Sequence, residues 1–239
     1  MKILGIETST PASSVALVED RQVVASASRV DRTGHGAFLV SAMDFCFDQS
    51  GWSPRDVDAI VVDTGPGLYT GIRVGLATAQ GLAATLGVPV MPASSLNALA
   101  LRAATGRRHI WSVVDVRRGE VAIAGYRPVP GGVVIDAQPE LVSYDGFHGV
   151  LDSDPDDSLV VGDWQCLGET ALRGLHRVKT GRPRYPSANA LVDVAIPRIV
   201  RDDFPHPDDV RPMYMREPDV TISSKHMSEE GPWHGSSSA

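Results

Sequence analysis

Two segments of this 239-residue chain carry the residue types and spacing that could hold an anion. The first is Asp63-Thr64-Gly65-Pro66-Gly67-Leu68-Tyr69-Thr70-Gly71-Ile72-Arg73-Val74-Gly75, where glycines separate an apolar run from a helical pattern. A strand-to-helix turn of this kind faces backbone N–H groups outward, and the dipole of the helix that follows favours a negative charge. It is not a P-loop. No Gly-Lys-Ser/Thr follows, and the only lysines are Lys2, Lys179 and Lys225, so an anion here relies on backbone amides, Thr70 and Arg73. The same glycines equally serve a tight turn with no ligand at all. The second segment is Glu7-Thr8-Ser9-Thr10, an acid and three hydroxyl residues at the end of the first apolar run, followed by Ser13-Ser14. Acid and hydroxyl oxygens in that position suit a cation and phosphates, although strands ending in hydroxyl residues are common.

Other chemistries find less support. The seven histidines include no pair with three residues between them, no His-Glu-x-x-His and no cysteine partner, so no metal site is expected. Cys46 and Cys166 are too few for a disulfide framework and read as core thiols. There is no Gly-x-Ser-x-Gly elbow, which leaves a hydrolase built on Ser94 or Ser95 without a visible base. The net charge of −7 repels a phosphate backbone overall. One local exception is Arg173, His176, Arg177, Lys179, Arg182 and Arg184, with no acid among them, which reads as a solvated surface or as an RNA contact.

These segments need elements to position them. Apolar runs at residues 3–6, 14–18 and 22–25 read as a hairpin and a third strand. A helix over 36–49 follows, then a strand at 59–62, a helix over 70–86 stopped by Gly87, a short strand at 88–91 and a helix capped by Ser94 or Ser95. That order implies an α/β lobe with a mixed sheet covered by helices. The pattern restarts at 110–114 and 121–126 around the turn Arg117-Arg118-Gly119-Glu120. We expect lobes at 1–105 and 106–222, the second with strands near 133–135 and 159–161 and helices near 166–175 and 188–200, then a disordered tail over 223–239. The N-terminus reaches Glu7 before any apolar stretch of signal length, and no run is long enough to span a membrane, so a cytoplasmic location is expected.

The helix after the glycine turn has Gly71, Gly75, Ala79 and Ala83 at every fourth residue, a row of small side chains that lets another element approach closely. With Ile72, Val74, Leu76 and Leu82 beside it, this helix is apolar almost all round and must be buried on more than one side. Either the sheet and first helix of the same chain cover it, or a partner's helices complete the burial.

Taken together, the opening residues 3–10, the turn and helix start at 65–75, the turn Pro92-Ala93-Ser94-Ser95-Leu96 and the hairpin Asp115-Val116-Arg117-Arg118-Gly119-Glu120-Val121 resemble the bacterial TsaB (YeaZ) family. Later segments, Val161-Gly162-Asp163, Pro186-Ser187-Ala188 and Pro212-Met213-Tyr214-Met215-Arg216, are similar to its landmarks. Here Leu68-Tyr69 replaces the family's common Ser-Phe, and Gly34-His35-Gly36 its His-Ser-Glu. The resemblance implies an actin-like ATPase (ASKHA) fold of two similar lobes. It also implies a non-catalytic, dimerising role in forming threonylcarbamoyladenosine in tRNA. The implied partners are a TsaD-like catalytic subunit bound through first-lobe helices, a TsaE-like ATPase, a second copy of the chain when alone, and tRNA only within the complex. The candidate interface is Phe38, Met43, Tyr69, Thr70, Gly71, Arg73, Val74, Gly75, Ala79 and Ala83. No cofactor of its own is expected; a nucleotide at the shared interface would meet Glu7, Thr8 and Arg73. The competing readings are an actin-like ATPase or phosphotransferase, which needs a glycine pair in the second lobe where Val161-Gly162-Asp163-Trp164 offers one glycine, and a peptidase.

Overall fold

The alternating apolar pattern of the first thirty residues becomes an antiparallel meander of β1 (Lys2–Glu7), β2 (Ala12–Glu19) and β3 (Gln22–Val30). The computed structural model describes residues 1–31, 34–168 and 171–215. After helix α1 (His35–Ser50), strand β4 (Ala59–Asp63) joins β1 in parallel. After α2 (Tyr69–Leu86), strand β5 (Val90–Ala93) joins β4 in parallel. The sheet order is β3-β2-β1-β4-β5. All five residues of β4 are buried, as a parallel strand covered on both faces requires. Alternate residues Leu4, Ile6, Ile60 and Val62 face one way, into a core shared with Leu39 and Cys46 of α1 and Leu76 and Ala79 of α2. Their neighbours Ile3, Val61 and Met91 face the other way.

The second lobe repeats the plan. β6 (His109–Asp115), β7 (Glu120–Val129) and β8 (Gly132–Ser143) form an antiparallel meander, and β9 (Ser158–Gly162) and β10 (Val178–Thr180) add in parallel beside β6. The order β10-β9-β6-β7-β8, read from the other edge, is that of the first sheet. Two lobes of one topology, each with a mixed five-stranded sheet covered by helices, make the expected actin-like fold. Between them, α3 (Ser95–Ala103) sets Leu96, Leu99 and Ala103 against Ile110, Val114 and Tyr126.

Three features differ from the sequence reading. The chain does not divide cleanly at residue 106, because α5 (Ala188–Ile199) returns to cover the open face of the first sheet, packing Leu191, Val192, Ala195 and Ile199 against Ile3, Ala16, Val61 and Met91. Gly5 makes this approach workable: a Cβ there would lie 2.8 Å from the Ala188 carbonyl oxygen, and the Ala188 amide donates to Ser14 Oγ at 2.8 Å. Pro197 sits near the end of this helix, which runs on to Ile199. Second, the helix expected over 166–175 is a short 3-10 turn, Trp164–Leu167, while α4 (Tyr144–Ser153) forms where none was expected. Gly146 and Gly149 lower its propensity, yet Phe147 and Leu151 are buried against Trp111, Val113 and Ile123, and Ser143 Oγ caps it by accepting from the Gly146 amide at 2.9 Å. Third, β10 is only three residues long and carried no recognisable pattern. Among the described residues no helix is long and apolar enough to cross a membrane; the tail at 223–239 lies outside them.

Candidate functional site

The glycine turn and the Glu7–Thr10 loop meet, but they close on each other rather than around a ligand. Glu7, Thr8, Ser9 and Thr10 are all buried. The Leu68 amide donates to the Ser9 carbonyl oxygen at 2.6 Å, and Thr8 Oγ1 donates to the Gly71 carbonyl oxygen at 2.7 Å. A Cβ on Gly67 would lie 2.2 Å from the Ser9 oxygen, and one on Gly71 2.0 Å from the Thr8 oxygen. The turn therefore needs its glycines for close packing of backbone on backbone. Glu7 and Thr8 are buried beneath the turn in this arrangement, at odds with their reading as nucleotide contacts, whereas Arg73 is exposed.

Beneath the turn lies a buried pair of acids. Glu7 Oε1 accepts from the Ser9 amide at 2.8 Å, and Ser9 Oγ sits 3.0 Å from Glu7 Oε1 and 2.9 Å from Asp63 Oδ2. Asp63 Oδ1 accepts from the Gly65 amide at 2.7 Å, while Glu7 Oε2 makes no hydrogen bond. Burial, followed by the nearby Asp63 charge, pushes the Glu7 carboxyl well above its ordinary range. Burial raises Asp63 to about 7. Burial thus favours the protonated form of both acids, and the pair ties the end of β1 to the turn after β4.

The small-residue row of α2 points inward. Gly71, Gly75, Ala79 and Ala83 are buried, and a Cβ on Gly75 would lie 2.4 Å from Thr8 Oγ1 and 3.7 Å from Ile6 Cγ2. These four residues belong to the chain's own core, so they are removed from the interface expected from the sequence. Phe38, Met43 and Val74 are half-buried and pack on the same core. Tyr69, Thr70 and Arg73 do face outward. The outward face also holds Phe45, 51% exposed on α1, and Val40, 67% exposed, of which the sequence reading missed Val40. Since α1 is apolar over a wide arc, its sequence alone did not say which part the sheet would cover.

Another missed element is the segment after α5. Val210 is buried in the first-lobe core, its carbonyl oxygen accepts from Gln80 Nε2 at 3.1 Å, and the Met213 amide donates to the Thr64 carbonyl oxygen at 2.7 Å. Tyr214 then stacks on Tyr69 with ring centroids 5.1 Å apart and accepts from Arg73 Nε at 2.7 Å. The Arg73 guanidinium lies 4.0 Å from the Tyr69 ring centre. This segment fixes Arg73 at the outer face of α2.

Hydrolytic readings gain nothing from the geometry. Ser95 is buried and donates to the Pro66 carbonyl oxygen at 2.6 Å. Ser13 Oγ is 2.6 Å from His35 Nδ1, but both residues are buried, and burial lowers the His35 pKa. The described residues that cluster at metal-ligand distances are His109, Asp154 and Asp156. Asp154 Oδ2 already faces His109 Nδ1, Trp111 Nε1 and Ser158 Oγ, each at 2.7 Å, and Arg127 spans Asp136 and Asp156 at 3.1 and 2.8 Å. This is an ionic knot that joins β6 to the loop before β9. The donors around Asp154 hold its carboxyl below the usual range despite its burial.

Comparison with known proteins adds identity to this geometry. Residues 29–147 match the TsaD family, described as tRNA N6-adenosine threonylcarbamoyltransferase. The chain is 28% identical to the tRNA threonylcarbamoyladenosine biosynthesis protein TsaB of Escherichia coli, over 90% of this chain and 95% of that protein. It is 35% identical to TsaB of Bacillus subtilis, over 53% of this chain and 56% of that one. The solved structure of YeaZ from Pseudomonas aeruginosa superposes with a TM-score of 0.75 at 25% identity, covering 89% of this chain and all of that one.

Proposed function

The chain belongs to the TsaB (YeaZ) family, and from that membership we propose that it is the non-catalytic dimerisation partner that activates a TsaD-type subunit in placing threonylcarbamoyl on tRNA adenosine next to the anticodon. Its part in tRNA threonylcarbamoyladenosine biosynthesis, as a subunit working with TsaD, follows from its relatives. The non-catalytic role rests on one contrast. The loops where an actin-like enzyme would hold phosphates are packed shut around Glu7 and Gly67, whereas the α1–α2 face beside them exposes Val40, Phe45, Tyr69 and Arg73 to a partner. Large apolar, tyrosine and arginine side chains are the types that anchor protein interfaces. On this reading the same face pairs two copies of the chain when TsaD is absent, a TsaE-like ATPase joins the assembly, tRNA is met only within it, and the work is done in the cytoplasm. A nucleotide held at the shared interface would meet Arg73.

The test is reconstitution of the modification with cognate TsaD, TsaE and threonylcarbamoyl-adenylate synthase, with and without this chain, read by nucleoside mass spectrometry. Product that depends on a chain inactive alone supports the proposal; full product without it, or ATP hydrolysis by the isolated chain, overturns it. Replacing both Val40 and Phe45 with aspartate should leave the thermal midpoint nearly unchanged, since both side chains are already largely in water. Association with TsaD should weaken by at least ~30-fold, because two unpaired carboxylates would be buried on binding. Undiminished association in a calorimetric titration would move the interface elsewhere.

A further inference from the structure

The second lobe carries a basic edge that the docking face does not use. β6, β9 and β10 run parallel, so their starting ends lie side by side, and His109 and Val178 both pair with Ser158 between them. Arg107 and Arg108 immediately precede β6, and Arg177 immediately precedes β10. The topology thus unites two segments separated by some seventy positions in the chain: Arg108 Nη1 donates to the Arg177 carbonyl oxygen at 3.2 Å. Lys179 lies on β10, which pairs only with β9 and forms the sheet's edge, and Arg182 follows that strand. Arg107, Arg177, Lys179 and Arg182 are all exposed.

What distinguishes this edge is where the neighbouring acids have gone. Asp154 is held by His109, Asp156 by Arg127, and Asp157 by Arg108 at 3.5 Å. Arg177 gives Nη1 to the Pro155 carbonyl oxygen, a neutral partner. Among the described residues no carboxylate forms an ion pair with Arg107, Arg177, Lys179 or Arg182. A molecule of net charge −7 therefore presents a cationic ridge at one sheet edge, with its local acids already engaged.

We infer that this edge, formed by Arg107, Arg108, Arg177, Lys179 and Arg182, binds the phosphate backbone of RNA, and that within the assembly it contacts the body of the tRNA. The inference rests on the tRNA-modification reading above for the identity of the RNA and on the ridge itself for the chemistry. Backbone contacts of this kind position a nucleic acid without reading its sequence. The acidic remainder of the chain keeps its binding weak when alone, so the contribution is greatest where TsaD supplies the main attachment.

The experiment measures binding of fluorescein-labelled tRNA by anisotropy across a salt series, with the isolated chain and with its complex with TsaD, comparing wild type and the triple variant Arg177→Gln, Lys179→Gln, Arg182→Gln. All three side chains are exposed, so thermal unfolding and TsaD association should match wild type. The variant complex should bind tRNA ~10-fold or more weakly at low salt, with the slope of log affinity against log salt smaller by about 2, since every phosphate that a cation neutralises adds nearly one unit to that slope. Equal affinity and slope in variant and wild type overturn the inference, and would leave the cations as guards that keep an edge strand from pairing. Wild type that binds polyglutamate but not tRNA, alone or in complex, also overturns it. Failure of the scaffold reading shows separately, as product formation indifferent to the presence of the chain.

Discussion

Gly75→Leu is expected to lower the stability of the fold itself, rather than to give a monomer of normal stability that cannot find its partner. The position looks like a helix-contact glycine in the sequence, the second in a row with Gly71, Ala79 and Ala83. In the fold it faces Thr8, whose Oγ1 would stand 2.4 Å from a Cβ at 75. Thr8 cannot retreat, because its hydroxyl is bonded to the Gly71 carbonyl oxygen and its residue is 1% exposed. Overpacking a dense core typically costs ~1–3 kcal/mol, and a leucine against the buried, hydrogen-bonded Thr8 side chain belongs near the top of that range. For a chain of this size that amounts to a fall of roughly 10 °C in thermal midpoint. Gly81 supplies the control on the same helix. Nothing lies within 4 Å of a Cβ there and the position is exposed, so Gly81→Ala should raise stability by about 0.5–1 kcal/mol through better helix propensity. Circular dichroism melts of the two variants decide the matter: a Gly75→Leu protein that melts like wild type but no longer associates would return the row to the interface.

That contrast shows where sequence reasoning reached and where it stopped. Strand and helix order in the first lobe was legible because each element carries its own period, and because Gly51 and Gly87 punctuate the helices as left-handed caps. The repeated lobe was legible because the pattern restarts near residue 110. Which side of an all-round apolar helix meets its own sheet is not a local property. It depends on Ile6, Thr8 and Val62 arriving from elsewhere, and the row of small residues is equally suited to a strand or to a partner. The return of α5 to the first sheet was hidden for the same reason, since its apolar stripe fits either lobe and only the close approach at Gly5 selects one. Tyr214 could not be linked to Arg73 across 141 positions without the fold. The closure of the two anion loops on each other was equally invisible, because the glycines that would admit a phosphate are the ones that admit the Ser9 and Thr8 carbonyls.

Stability should fall as pH rises through neutrality, and Glu7→Gln should flatten that fall. Glu7 and Asp63 are both buried, both raised, and bridged by Ser9. A carboxyl whose folded pKa lies above its unfolded value holds a proton that the unfolded chain releases, so folding is favoured most below about pH 4 and the advantage is lost as pH climbs to the folded value. For Asp63 the window closes at about 7; Glu7 carries the decline in the same direction from its own raised value. Interacting acids titrate as a pair, so the predicted observable is one broad loss that begins near pH 4 and runs through about 7, on the order of 3 kcal/mol, rather than two steps. Glutamine at position 7 keeps the carbonyl oxygen that accepts from Ser9 and removes the charge that opposes Asp63 ionisation. Its amide nitrogen also brings a donor near the place where Glu7 Oε2 has no hydrogen-bond partner. Denaturant midpoints for Glu7→Gln should therefore match wild type near pH 4 and exceed it at pH 8. Parallel curves across that range would mean that Glu7 stays ionised in the fold, and that the space around Oε2 is reached by solvent or a cation instead of being dry. Because the pair clamps the glycine turn on which Leu68 and the start of α2 rest, the same loss should loosen the Tyr69–Arg73 corner of the docking face first. Amide exchange at Leu68 and Gly65 rising with pH faster than in the β6–β7 hairpin of the second lobe would locate the weakening at the acid pair.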